Sequence, residues 1–307
     1  MSQVGGGIAL SLLVSTSLLL LEPGEKTALF AGSAPSAAGR RTGGTWSPPD
    51  VDQSTPSVRS DITCSLPEVL DGAARRMEEL IQNISRFTAT EVLKHQEVDR
   101  RGKLHRPEIR KFDYMVSIQE VRGGYLNVEE VRNRNFSLSE FPHELATLGT
   151  PSLVLIFHPR YIDDFETHCE GLTEWEGQPT WLVHFEQRKN RPNHVRTYHV
   201  NGNRYDIPLR GRAWINADTF QITRLETDIA APIAKIQLRL EHLRIDYKPV
   251  VFPGRQVELW LPHSAELYTD FRGHRFYRRH LFTDFELFSV ETTQEITYPK
   301  LKDPGSP

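Results

Sequence analysis

Cysteine is scarce: the 307 residues hold two, Cys64 and Cys169. Two thiols cannot alone complete a structural zinc site, and neither lies in a C-x-x-C pair. Charge of one sign is missing as well. The chain has 37 Lys and Arg against 40 Asp and Glu, a formal net charge of -3. No strong field favours nucleic acid as a partner. The apolar run at residues 8–21 (IALSLLVSTSLLLL) falls short of the ~20 residues that a membrane span takes. G-x-S-x-G, a P-loop, the Rossmann glycine pattern and H-E-x-x-H do not occur. No motif asks for a cofactor or a metal, and the chain reads as a non-enzyme. A hydrolase built from scattered Asp, His and Ser stays as an alternative.

What is present begins with that apolar run. Its length suits the core of a secretory signal, with small residues near Gly32-Ser33-Ala34 for cleavage, over residues 1–34. The first seven residues carry no Lys or Arg, so an uncleaved anchor is the competing reading. Residues 35–61 are rich in Gly, Ser, Pro, Ala and Thr, and bury too little to offset their ordering entropy. They predict a disordered linker. In an exported chain Cys64 and Cys169 suggest one disulfide, worth ~4–5 kcal/mol in the chain-entropy account. Two buried free thiols remain the alternative.

Ser65-Leu66-Pro67-Glu68 predicts a helix start with a capping box. Leu66, Val69, Leu70, Ala73, Met77, Leu80, Ile81 and Ile84 follow at helical spacing. Such a stripe needs a large partner, most simply the concave face of a sheet. From Phe87 the period changes to that of strands, with turn signals at Gly123-Gly124 and Asn201-Gly202. The densest stretch is 211–250, three apolar runs joined by a tight turn and by Ala230-Ala231-Pro232. Residues 152–157 are apolar all round and predict a second, short helix over the sheet. The count is ten or eleven strands in an antiparallel meander, and a sheet that wide must curl or close. The predicted fold is mainly β: a strongly curved meander or unclosed barrel over 62–298, helices on its concave side, and a polar tail at 299–307.

An apolar export run, a helix opened by Ser65 and Pro67, and a meander with stretches such as Gly211-Arg212-Ala213-Trp214 and Ile222-Thr223-Arg224-Leu225 together resemble the bacterial lipoprotein-localisation-factor superfamily. The resemblance spans about residues 64–297. It implies an unclosed barrel with a greasy cavity under a helical lid, a periplasmic or cell-envelope location, and acyl chains as ligands. Partners implied are a lipid or acyl chain, a lipoprotein or an outer-membrane protein, with peripheral membrane contact.

Candidate cavity residues are Trp181, Phe185, Trp214, Ile222, Leu238, Leu240, Ile245, Tyr247, Trp260 and Phe276, although aromatic and aliphatic side chains in sheets more often serve plain core packing. Trp214 and Arg224 can face each other across a hairpin in a cation–π contact, provided the turn is bulged. His158, His168, His184, His194 and His199 have no compelling metal-ligand spacing. Asp163, Asp164 and Glu166 read as a solvated loop. The run HRFYRRH from His274 reads as the wet face of a strand or a contact for anionic head groups. Two functions follow: a binder of an apolar ligand in a half-barrel cavity, and an envelope-assembly module that pairs through sheet edges.

Overall fold

A computed structural model describes residues 45–59, 61–121, 124–133 and 149–288. The predicted signal (1–34) and polar tail (299–307) lie outside these.

Leu66–Asn83 form helix α1, with Pro67 in its first turn and Glu68 near the positive end of its dipole. The expected capping box does not form: Ser65 makes no side-chain cap bond, and its carbonyl accepts the Val69 N–H instead. Val69, Gly72, Ala73, Met77 and Leu80 are buried, a three- and four-residue spacing that sets one face inward.

Strands follow: β1 (Arg86–Val98), β2 (Glu108–Glu120), β3 (Leu126–Asn133), β4 (Phe165–Trp175), β5 (Gln178–Gln187), β6 (Thr197–Val200), β7 (Asn203–Asp206), β8 (Leu209–Asn216), β9 (Ile222–Ile229), β10 (Leu238–Phe252), β11 (Val257–Phe271) and β12 (His274–Phe288). Ten pair antiparallel in the order β3-β2-β1-β12-β11-β10-β9-β8-β5-β4, and β6 and β7 form a separate ribbon. Most neighbours are joined by tight links. The main exception is the pairing of β1 with β12, which runs from Arg86 opposite Phe288 to Val98 opposite Arg275. The end strands β3 and β4 do not meet, so the curved sheet stays an open trough. Register shifts at Thr88/Thr90, Asp246/Tyr247, Cys169/Gly171 and Trp214/Ile215 add the local twist that bends it.

The turn after Asn216 is fixed by that residue's side chain, whose Oδ1 accepts the N–H groups of Asp218 and Thr219 at 3.0 and 2.9 Å. Cys64 and Cys169 are joined as a disulfide, tying the start of α1 to β4.

The expected short second helix is present as the 3-10 helix Leu153–Phe157. All five of its residues are buried, and a segment enclosed on every side carries no helical period to read. Residues 45–59, inside the span expected to be a disordered linker, lie along the sheet as a strap. Thr45 bridges Lys103, the Val51 N–H donates to Asp228 at 2.9 Å, and the Arg59 N–H donates to Leu172 at 2.7 Å. Backbone and carboxylate bonds anchor this segment, so its poverty in apolar residues misleads.

Candidate functional site

Side chains alternate along each strand, so one parity of every strand faces the trough. In β1 this parity is Phe87, Ala89, Glu91, Leu93 and His95, all buried. The trough is filled in two different ways.

Beneath α1 the filling is apolar. Val69, Ala73, Met77 and Leu80 pack with the Leu153–Phe157 turn and with Phe185, Ile215, Ile222 and Ile245 in one cluster. Beside the helix a gap of about 120 Å³ remains, bordered by Met77, Leu80, Val257, Leu259 and Trp260, with Arg76, Glu79 and Asn83 among its polar neighbours.

Toward β1, β2 and β3 the filling is ionic. Glu91 is fully buried and takes a bidentate pair from Arg132 at 2.6 and 3.0 Å, while His280 Nδ1 sits 2.6 Å from the same carboxylate. Tyr114 Oη donates to Glu130 at 2.6 Å, and Glu130 also accepts the Gly149 N–H. Close by, Arg196 donates to both oxygens of Glu241 at 2.9 and 2.6 Å, and Tyr198 donates to Glu241 as well. Arg278 has no solvent exposure and donates through Nε to His95 Nδ1 at 3.1 Å. Carboxylates facing guanidinium groups are what allow charge to persist at such depth.

Ionisation follows from this placement. Burial alone would push the Glu91 carboxyl up, but the hydrogen bonds and charge of His280 and Arg132 hold it down at about 2. Burial, and then the Arg278 charge, pull His95 down to about 4. Burial leads in raising Tyr114 and Tyr198, with Glu130 and Glu241 adding to it respectively.

Of the predicted cavity residues, Phe185, Ile222, Leu238, Ile245, Tyr247 and Phe276 are buried on the trough side, and Trp181 and Trp260 sit at its margin. Trp214 and Leu240 do not join them. Trp214 shares the outer face with Trp175, 6.2 Å away, and Leu240 shares the face of His242. Both have the wrong strand parity, which bulges shift and composition does not report. Trp214 does stand opposite Arg224, beside a bulge, with the guanidinium 5.7 Å from its ring. The closer stack is Arg224 over Trp175 at 3.5 Å.

The histidines do not converge. His168 and His184 stack at 4.7 Å on the outer face, and His194 lies against Tyr125 and Tyr161. Among the described residues no three His, Cys, Asp or Glu side chains gather where they would hold a metal ion. Asp164 is buried rather than solvated, while Glu166 pairs with Arg188 at 3.1 Å. In the run HRFYRRH, Phe276, Arg278 and His280 turn into the trough, so only the alternate residues form a wet face. The ionic network was missed from sequence. Its trace is there: Glu91 sits between Ala89 and Leu93, and Glu241 shares parity with Leu243 and Ile245.

No protein-family model matches the sequence, and no curated protein matches it. Solved structures with a similar layout include a DUF1329 family protein from Desulfovibrio piger, 10% identical, covering 73% of this chain and 94% of that one at a TM-score of 0.43. A putative outer membrane lipoprotein-sorting protein domain from Vibrio parahaemolyticus is 10% identical, covering 75% and 95% at a TM-score of 0.40. Lipoprotein LppX from Mycobacterium tuberculosis is 9% identical, covering 74% and 100% at 0.25. With TM-scores below 0.5, these likenesses bear on neither the ligand nor the site. Among the described residues no helix is long and apolar enough to cross a membrane.

Proposed function

We propose that the protein is an exported, non-enzymatic binder of an apolar ligand, the acyl chain of a lipid or lipoprotein, held between α1 and the inner face of the sheet with α1 as its lid. The gap beside Met77, Leu80 and Trp260 carries this reading. At about 120 Å³ it takes roughly four methylene-sized groups, if each needs ~30 Å³ as a water does. A whole acyl chain therefore requires α1 to move outward. The helix's inward face is apolar, and its Arg76 bond to the Thr219 carbonyl at 2.8 Å is a polar tie that opening would break. The disulfide at Cys64 and the short link to β1 keep it attached. Each methylene buried is worth ~0.8 kcal/mol, so a chain can be held without a specific polar anchor. The apolar run at residues 8–21 and the disulfide favour the periplasm or cell envelope as the place of work.

Native mass spectrometry before and after delipidation tests the proposal, together with titration of a fluorescent fatty acid. Bound lipid is expected, as is weaker probe binding in Trp260→Ala. The proposal fails if no lipid copurifies and no probe binds.

A second reading, an assembly module that pairs through sheet edges, has one observation behind it. The edge strand β4 already takes one isolated bridge from another segment, the Arg59 N–H donating to the Leu172 carbonyl at 2.7 Å. Crosslinking that recovers one stoichiometric protein and no lipid would favour it.

A further inference from the structure

At the opposite end of the strands from the gap under α1, a cleft of about 570 Å³ opens beside the β1–β2 hairpin. Its size lies within the ~300–1,000 Å³ common for small-molecule sites. His95 forms part of its lining and is 3% exposed. The hairpin loop brings Lys103, His105 and Arg106 around the same space.

This loop is held on several sides. Asp99 Oδ1 accepts the N–H groups of Arg101 and Lys103 at 2.8 and 2.9 Å, and Gly102 supplies the positive φ of 81° that the turn needs. The strap clamps it from outside, where the Trp46 N–H donates to the Gly102 carbonyl at 2.7 Å. From inside, Gln96 Nε2 donates to the His105 carbonyl at 2.9 Å, and the His105 N–H donates to the Glu97 carbonyl at 2.8 Å. Arg275 donates to the Asp99 carbonyl. A loop fixed in this way loses little entropy when a ligand settles on it.

Sorting the charges gives the ligand class. Among the carboxylates, one oxygen of Asp99 is occupied by backbone N–H groups and Glu108 is paired with Arg110 at 3.1 Å. Lys103 and Arg106 are exposed, and neither side chain has a hydrogen-bond or ion-pair partner among the described residues. His95 Nδ1 accepts from Arg278, which places the proton of the neutral ring on Nε2 and makes that nitrogen a donor. Behind His95 lies the Arg278 guanidinium. Lys103 and Arg106 thus supply cationic donors at the rim, and Glu97 and the second oxygen of Asp99 are placed to accept.

We propose that this cleft binds a small anion, a carboxylate or phosphate group held by Lys103, Arg106 and His105 near the His95 ring, with Glu97 accepting from a neighbouring hydroxyl or amine. A free metabolite and a lipid head group share this chemistry.

Isothermal titration with inorganic phosphate and with citrate at low salt tests it, alongside cosedimentation with phosphatidylcholine vesicles containing phosphatidylglycerol. One saturable site is expected, weakening as potassium chloride is added. Lys103→Ala/Arg106→Ala should lower affinity about tenfold or more, and Glu97→Gln should raise it about threefold. These side chains are exposed, so unchanged thermal melts will separate lost binding from lost fold. Binding to vesicles alone, abolished by the double variant, identifies a head group as the source and supports the site. The proposal is overturned if neither anion nor vesicles bind at millimolar concentration, or if the double variant binds as the parent does.

Discussion

Gly72 offers a test in which two physical effects of opposite sign compete. It lies inside α1, where replacing Gly by Ala ordinarily stabilises by about 1 kcal/mol through backbone entropy. Here a Cβ at position 72 would come within 2.3 Å of Phe220 Cγ, 2.5 Å of Cδ1 and 2.8 Å of Cβ. Those atoms are the root of the Phe220 side chain, not a tip that can swing aside. Phe220 also closes the turn between β8 and β9 with a φ of +58° and an N–H bonded to the Asn216 carbonyl at 2.9 Å. Its backbone is therefore poorly placed to yield, and α1 must lift instead. Overpacking of this kind costs about 1–3 kcal/mol, enough to cancel or exceed the propensity gain. Gly72→Ala is expected to lose about 1 kcal/mol net in urea denaturation, which for a domain of this size lowers Tm by roughly 2–4 °C. In a Phe220→Gly background, which removes all three of these atoms and keeps the positive φ, the same substitution should instead gain about 1 kcal/mol, and the difference between backgrounds is the coupling energy. If Gly72→Ala stabilises the parent chain, the close seating of α1 on the β8–β9 turn is wrong, and so is a lid that fits this tightly. Because it lifts α1, the variant should also take up a fatty-acid probe faster than the parent.

Other outcomes follow from the same geometry. Arg132→Met leaves Glu91 buried beside His280 without its bidentate partner, and should cost about 3–5 kcal/mol by chemical denaturation, whereas an exposed pair such as Arg59–Asp61 should be nearly silent when broken. The folded-state value of Glu91, about 2, lies below its unfolded value, so its contribution is present above the ordinary carboxylate range and is lost as pH falls from there toward 2. His95 and His280 are both depressed mainly by burial, so the unfolded chain takes up their protons first. Stability should therefore fall as pH drops from about 6.5 toward 4, with a shallower slope in His95→Asn. Removing the disulfide with Cys64→Ser/Cys169→Ser frees a loop with a sequence separation of 105, and should cost up to ~4–5 kcal/mol, read from urea midpoints with and without reductant. Arg224→Lys should lose about 0.5–1 kcal/mol and alter tryptophan emission, since an ammonium cannot reproduce a planar guanidinium stacked 3.5 Å over Trp175.

Much of the architecture could be read along the chain because its causes are local. Pro67 and the spacing of Val69, Ala73, Met77 and Leu80 place α1 and its buried face. Alternation in β2 and β5, with turns near Gly124 and Gly202, places hairpins. Strand ends were harder. Residues 257–261 and 265–272 look like two runs, yet Val257–Phe271 is one strand crossing a bulge near Pro262 and His263. The Gly-Leu-Thr-Glu-Trp stretch from Gly171 reads as turn-rich, yet belongs to β4, with the reversal confined to Glu176 and Gly177. A period of two survives in composition, but a one-residue shift in pairing leaves no trace there.

The candidate site divides in the same way. Local sequence determined an inward apolar helix, strands with one buried parity, and two cysteines able to meet. Only tertiary structure decided that β1 lies beside β12, and this pairing sets Glu91 and His95 against Arg278 and His280. The partners of Glu91 are Arg132, 41 positions away, and His280, 189 away. A carboxylate at a buried parity looks like an error until those charges arrive, because its burial is tolerable only when opposite charges desolvate with it. Sequence specifies the groups, and the fold determines whether their charges meet.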